Sequence, residues 1–238
     1  MRNTFTITLK ELRSYLTSPM AYIVTAIFLL LTGTFFTTYL AGTEYTDTSI
    51  RGFLDVGQYL LLLFAAILTM RLIAEEKKMG TWELLLTAPV RDTEVILGKF
   101  LASLAMLTGM LVLTLYYPLL LIIFGDPDIG PIVTSYIGLF LLGSASISVG
   151  IFASSLTSNQ IVSAVVAGGI LFALWFIGQF TTFLPEALAD LLGYISLSFH
   201  FPYFMIGIVD TRAIIYYLSV TALFLFLAIR SLETSRWS

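Results

Sequence analysis

Long apolar runs separated by short polar stretches set the pattern of this chain. Six runs read as helices: about Met20 to Leu40, Leu54 to Ile73, Val95 to Phe124, Ile132 to Ser154, Ile161 to Phe180 and Ala213 to Ile229. They have the length, roughly 17–25 residues or more, that lets a helix cross the hydrocarbon of a bilayer. The chain lacks the alternating segments of about ten residues that mark a membrane β-barrel. Helix is then the way a spanning segment satisfies its backbone in lipid. Pro118 lies inside the third run and is expected to kink it, because it removes one backbone donor and crowds the preceding turn.

The polar stretches predict further elements. Before the first run, Phe5, Leu9, Leu12 and Leu16 recur at helical spacing while Arg2, Lys10 and Glu11 lie on other faces. Pro19 disfavours helix at Ser18, so the pattern predicts an interfacial helix followed by an elbow into the membrane. Between the fifth and sixth runs, the segment from Thr181 to Arg212 is too apolar for a free loop. It is broken by Pro185 and Pro202 and punctuated by Gly193 and Gly207. Neither half is long enough to span, so one or two short re-entrant or interfacial helices are expected there. No internal repeat interrupts residues 1–238, which read as one all-α membrane domain.

Composition agrees. The chain is 58% hydrophobic and 11% charged, against roughly 25% charged in an ordinary soluble domain. It has no cysteine, hence no disulfide framework and no thiolate metal site. The distribution of positive charge is more informative than the net value of −3. Arg2, Lys10 and Arg13 lie before the first run. Arg71, Lys77, Lys78, Arg91 and Lys99 lie in or beside the stretch between the second and third runs, and Arg230 and Arg236 lie at the end. With six spans these regions share one side and hold ten of the twelve basic residues; Arg51 and Arg212 alone fall on the other. The positive-inside rule then makes both termini cytoplasmic. The first apolar run is long enough to cross the membrane and no cleavable signal peptide is evident.

Candidate chemistry is sparse. There is no Gly-x-x-x-x-Gly-Lys-Ser/Thr phosphate loop, so nucleotide hydrolysis is not assigned to this chain and no catalytic residue is named. The single histidine, His200, has no partner for a metal site and reads as an interfacial side chain among Phe199, Phe201 and Tyr203. No ionisable residue falls near the middle of a run. Asp55, Arg71 and Lys99 lie near run ends, from which they are expected to reach the interface. Ion-coupled carriers usually carry intramembrane charge, so a self-powered transporter or a charge-lined channel is disfavoured. Ser146, Gly150 and Ser154 in the fourth run, and Ala164 and Gly168 in the fifth, repeat every four residues as close-approach helix faces. They serve either internal packing or a dimer face.

The stretch between the second and third runs carries the most information. Glu75, Glu76, Lys77 and Lys78 precede Gly80 and Thr81, which break the helix. Thr81 is placed as an N-cap, with Glu83 in the following first turn. Trp82 to Ala88 would give about two turns before Pro89 ends them, and Asp92 or Thr93 would cap the next helix. The result would be a short transverse helix exposing Trp82, Leu85 and Leu86 within a charged rim, suited to docking a soluble protein. An ordinary interfacial connector with its leucines in lipid is the alternative.

The sequence from Glu75-Glu76-Lys77 through Gly80-Thr81-Trp82-Glu83-Leu84-Leu85 to Ala88-Pro89-Val90, followed by Leu97-Gly98-Lys99, resembles the signature of ABC-2 type permease subunits. Lys10 to Pro19 with Ala21-Tyr22, Ser198 to Phe201, Gly207 to Arg212, Tyr216 to Ser219 and the ending Arg230 to Trp237 resemble the gliding-motility (Gld F-type) branch. The resemblance implies a six-span permease of a bacterial cytoplasmic (inner) membrane, with an amino-terminal interfacial helix, a cytoplasmic coupling helix and short external helices before the last span. It implies a separate ATP-binding subunit that holds ATP and Mg, no cofactor on this chain, and a second permease in a homo- or heterodimer. A membrane-anchored subunit with a periplasmic domain accompanies some relatives of this branch; no nucleic acid is expected as a partner. Glu75, Glu76, Gly80, Thr81, Trp82, Glu83, Leu84, Leu85, Leu86 and Pro89 become the residues that couple ATPase motion to the spans. Two functions stay open: ATP-driven export across the membrane, or mechanical relay of ATPase motion to a periplasmic partner without moving a substrate.

Overall fold

A computed structural model describes residues 2–42, 51–81, 90–183 and 185–235. The chain is all-helical, with six helices long and apolar enough to cross a membrane: Pro19–Gly42, Gly52–Lys78, Asp92–Phe124, Ile129–Ser155, Gln160–Phe180 and Thr211–Thr234. They follow helix α1 (Arg2–Thr17). The first span is α2 (Pro19–Gly42), and the second contains α3 (Arg51–Thr69) and the short α4 (Ala74–Lys78). The third contains α5 (Asp92–Thr114) and α6 (Tyr116–Phe124). The fourth and fifth are α7 (Ile129–Ser155) and α8 (Gln160–Phe176). A 3₁₀ turn (Ile177–Phe183) and helices α9 (Glu186–Ile195) and α10 (Leu197–Met205) precede the last span, α11 (Thr211–Ser235). The expected transverse helix over Trp82 to Ala88 lies outside the described residues.

The third span breaks where Pro118 requires. Pro118 cannot donate to the carbonyl four residues earlier, at Thr114, and α5 ends at that residue. Leu115 bridges the break, its N–H bonding the Val112 carbonyl at 3.1 Å. At its start, α5 is capped differently from expectation. The cap position is Arg91 rather than Asp92 or Thr93, and the Glu94 carboxylate reaches back to accept the Arg91 N–H at 3.2 Å.

The fourth span is the axis of the bundle. Of its most apolar window 83% is buried, against 28% for the first span and 22% for the fifth. It packs on α3, α5, α8, α10 and α11. A helix apolar all round is one that is buried all round, and its small residues permit the close approach. The hydroxyls of Ser144, Ser146 and Ser148 donate to carbonyls three or four residues earlier, so none is left unsatisfied. A Cβ at Gly150 would stand 1.9 Å from Thr69 Oγ1, and one at Gly138 would stand 2.8 Å from the Phe204 ring. The Ser146–Gly150–Ser154 stripe therefore packs internally. The stripe in the fifth span does not: a Cβ at Gly168 would meet nothing within 4 Å.

At the end of the bundle opposite α1, α9 and α10 fill the segment before the last span. His200 is buried rather than interfacial. Its ring stacks on Tyr216 with centroids 4.2 Å apart, and its Nε2 lies 3.0 Å from the Tyr194 carbonyl oxygen. The Tyr216 hydroxyl bonds the Ile195 carbonyl, and the Tyr217 hydroxyl donates to the Leu197 carbonyl at 2.9 Å. Gly207, at φ +89°, turns the chain from α10 towards the last span.

Two outcomes are expected. Gly150→Ala costs about 1–3 kcal/mol through overpacking, read as a lowered thermal midpoint in detergent, and Thr69→Ala relieves most of that loss. Burial lowers the His200 pKa from the usual 6.5, against the opposing effects of its Tyr194 bond and of Asp210. A histidine held below its unfolded pKa contributes full stability above that pKa and loses it as the pH falls. The midpoint therefore drops as pH falls below about 6.5, more steeply than in His200→Gln.

Candidate functional site

The site begins with the break in the second span. After α3 ends at Thr69, the N–H groups of Ile73 and Ala74 bond the Ser154 hydroxyl oxygen of the fourth span, each at 3.1 Å. That hydroxyl donates to the Met70 carbonyl at 3.2 Å. One serine on the buried axis thus satisfies the backbone groups that the break frees. Lys77 Nζ donates to the Ser155 carbonyl at 2.5 Å, and the Ser231 hydroxyl reaches the same oxygen at 3.4 Å. Gly80, at φ +70°, then takes the left-handed conformation that ends the helix.

Helix α1 lies against α5 in parallel, joined by contacts that advance together along both helices. Asn3 Nδ2 donates to the Glu94 carboxylate at 3.1 Å, and the Thr8 hydroxyl donates to the Gly98 carbonyl at 3.2 Å. A Cβ at Gly98 would stand 2.7 Å from Ile7 Cγ2, so glycine is what admits the close contact. Glu11 Oε1 accepts from Lys99 Nζ at 3.1 Å. The Tyr15 hydroxyl meets Ser103 Oγ at 3.3 Å and donates to the Leu68 carbonyl of the second span at 2.8 Å. Burial raises the Tyr15 pKa to about 12, so the hydroxyl keeps its proton and remains a donor. The stripe Asn3, Ile7, Glu11, Tyr15 faces the protein, while Phe5, Leu9 and Leu16 are exposed. An apolar face turned outwards suits a helix lying on a bilayer surface.

Lys99 corrects the expectation that it reaches the interface. It is fully buried, and its ammonium lies 2.9 Å from Glu76 Oε1 as well as 3.1 Å from Glu11 Oε1. One cation therefore holds the interfacial helix, the base of the insert and the third span at a single point. Glu76 Oε2 is buried with no hydrogen-bond partner among the described residues. Glu75 and Glu76 both line a cavity of about 390 Å³ between α1 and α4, with Lys10, Glu11, Tyr15, Arg71 and Thr81. The Thr81 hydroxyl donates to the Glu76 carbonyl at 3.3 Å. Trp82, Glu83, Leu84, Leu85, Leu86 and Pro89 lie outside the described residues.

Among the described residues, the structure brings Glu75, Glu76, Gly80 and Thr81 together at the base of the insert. Sequence reasoning missed Glu11, Tyr15, Lys99 and Ser154 as parts of the same assembly. The usable signal was Lys99 itself, a charge inside an apolar run, together with an acid at mid-length in the amphipathic helix.

Residues 5–227 match the family described as ABC-2 family transporter protein. The chain belongs to that family. It is a multi-pass membrane protein, and membership implies association with an ATP-binding subunit. No curated protein matches the chain. In this ABC-2 family chain the short helix α4 has a structural frame: a serine-capped break before it, a glycine stop after it, and a buried ion cluster beneath.

Lys99→Met leaves Glu76 without its cation and Glu11 with only the exposed Lys10, 4.0 Å away. Breaking a buried pair in this way costs about 3–5 kcal/mol. The expected result is a fall in thermal midpoint and faster amide exchange across α1 and α4. Combining Lys99→Met with Glu11→Gln and Glu76→Gln restores most of the loss, because no unpaired charge remains.

Proposed function

We propose that this chain is the membrane-spanning permease subunit of an ABC transporter, driven by ATP hydrolysis in a separate nucleotide-binding subunit. One observation carries the reading. The base of the insert, the interfacial helix and the third span are pinned at Lys99, so a displacement applied to the insert is passed to two spans and a surface helix together. Family membership supplies the motor, and a six-span topology assigns ten of the twelve basic residues of the sequence to the insert's side, which supports a cytoplasmic placement of that side and of both termini in a bacterial inner membrane. The insert acts as the coupling element: Trp82, Leu85 and Leu86 fill a groove in the ATPase, Glu75 and Glu83 orient the contact, and Glu76 positions it from beneath. The chain has no enzymatic activity and binds no cofactor of its own; ATP and Mg belong to the motor subunit.

A second permease completes the complex. The weakly buried first and fifth spans, and the open face at Gly168, leave surface for it. The gliding-motility branch is favoured by the motifs at Ser198 to Phe201 and Gly207 to Arg212, and with it a membrane-anchored subunit bearing a periplasmic domain.

The test is co-purification with the cognate ATPase. Leu85→Asp should reduce ATPase recovery at least about tenfold, the effect of burying a charge at about 1.4 kcal/mol or more; unchanged recovery and ATP turnover would reject the docking role. Stimulation of turnover by substrate in vesicles supports export. Stimulation only by a periplasmic partner would replace export with mechanical relay.

A further inference from the structure

At the end of the bundle opposite α1, a cavity of about 350 Å³ opens between the second span, the fifth span and α10. It has the size of a small-ligand pocket. Asp55 and Tyr59 stand at its exposed rim, and Gln58, Trp175 and Ser198 form its inner wall beside Gln179. Trp175 is 2% exposed, yet its Nε1–H has no hydrogen-bond partner among the described residues. An indole N–H can only donate, and a buried donor left without a partner is costly. The backbone around it is satisfied: the Trp175 carbonyl accepts from both Ser196 and Ser198 hydroxyls, at 3.0 and 2.9 Å. Gln58 is buried and its Nε2 donates to the Asp55 carbonyl at 3.2 Å. The Tyr59 ring stands 5.3 Å from the Trp175 ring at 65°.

We infer that this cavity binds an amine: a cationic ammonium group carrying an oxygen acceptor a few bonds away. Among the described residues the lining contains one carboxylate, Asp55, and no lysine, arginine or histidine. A carboxylate at the mouth of a low-dielectric cleft attracts a cation, and the neighbouring aromatic rings favour an ammonium through their negative faces. An anionic ligand would meet uncompensated repulsion there. The unpartnered N–H of Trp175, a lining residue, gains from an oxygen acceptor on the ligand. An ethanolamine-type group meets both demands, either as a lipid headgroup reached from the outer leaflet or as a free amine. Arg51 stands four residues before Asp55 on the same helix, which makes Arg51→Gln a control for the electrostatic part of the inference.

The inference uses the permease reading only to make the amine a passenger. Binding is measured on the full chain without the ATPase, so failure of ATPase co-purification and failure of amine binding are separate results. In Trp82→Phe/Trp237→Phe protein, reconstituted in phosphatidylglycerol nanodiscs, Trp175 is the sole indole. Ethanolamine should shift its emission saturably. Asp55→Asn should weaken that binding at least about tenfold, and Gln58→Ala should weaken it less. Lys10→Ala, at the other end of the bundle, should leave it unchanged. The same shift on substituting phosphatidylethanolamine for phosphatidylglycerol, without free amine, assigns the ligand to a lipid headgroup; a shift with free ethanolamine alone assigns a soluble amine. No saturable shift, equal affinity in Asp55→Asn, binding that arises only in Arg51→Gln, or a response to octyl glucoside in place of ethanolamine would each overturn the inference.

Discussion

The ammonium of Lys99, buried between Glu11 and Glu76, is the contact on which the arrangement of the insert's end of the bundle depends. Burying a cation is costly unless it is paired at short distance. Here the pairing is supplied by elements far apart in sequence: the surface helix and the base of the insert. Each carboxylate is better placed with the lysine than without it, so α1 and α4 hold each other through a residue that belongs to neither. The exposed Lys10 adds a second, looser cation to Glu11 at 4.0 Å, while Glu76 Oε2 stays buried with no hydrogen-bond partner among the described residues. Such a cluster adds less to net stability than to specificity, since few other arrangements neutralise the same charge.

That cluster stands on a rigid base. The fourth span is enclosed on most sides, and its small residues bring the second and third spans close. Its Ser154 receives the two amides freed where the second span breaks. The break is a built feature: its freed amides meet a prepared acceptor, and the following short helix ends at a glycine with positive φ. A motion delivered to the insert meets a defined joint below and a salt-bridged brace beside it. The opposite end differs in character. It is closed by aromatic stacking around His200 and by tyrosine hydroxyls on carbonyls, with the Trp175 cavity next to them.

Much of the architecture was legible in the apolar pattern. Six spans, the helix before them, the break at Pro118, the turn at Gly80 and the short helices before the last span were each readable, because each rests on local rules: run length, proline's missing donor, glycine's access to positive φ. The site was only partly legible. Glu75, Glu76, Gly80 and Thr81 stood out by composition. Lys99 was placed at the interface because a lone charge near a span end usually extends to water. It does not, because Glu11 is parallel to it on a helix that packs beside it. His200 was read as interfacial from its aromatic sequence neighbours, and it is buried with its ring stacked on Tyr216 of the last span.

By itself the sequence determined the number of spans and marked the polar segment between the second and third of them. These follow from hydrophobic length and charge placement, which need no knowledge of neighbours. Only the tertiary structure decided which span forms the axis, which small-residue stripe is used inside the chain, and where the charges of Glu11, Glu76 and Lys99 are spent. Those depend on which helices touch. An ion cluster drawn from positions 11, 76 and 99 has no local signature, because its energy exists only once three separate elements have left water together.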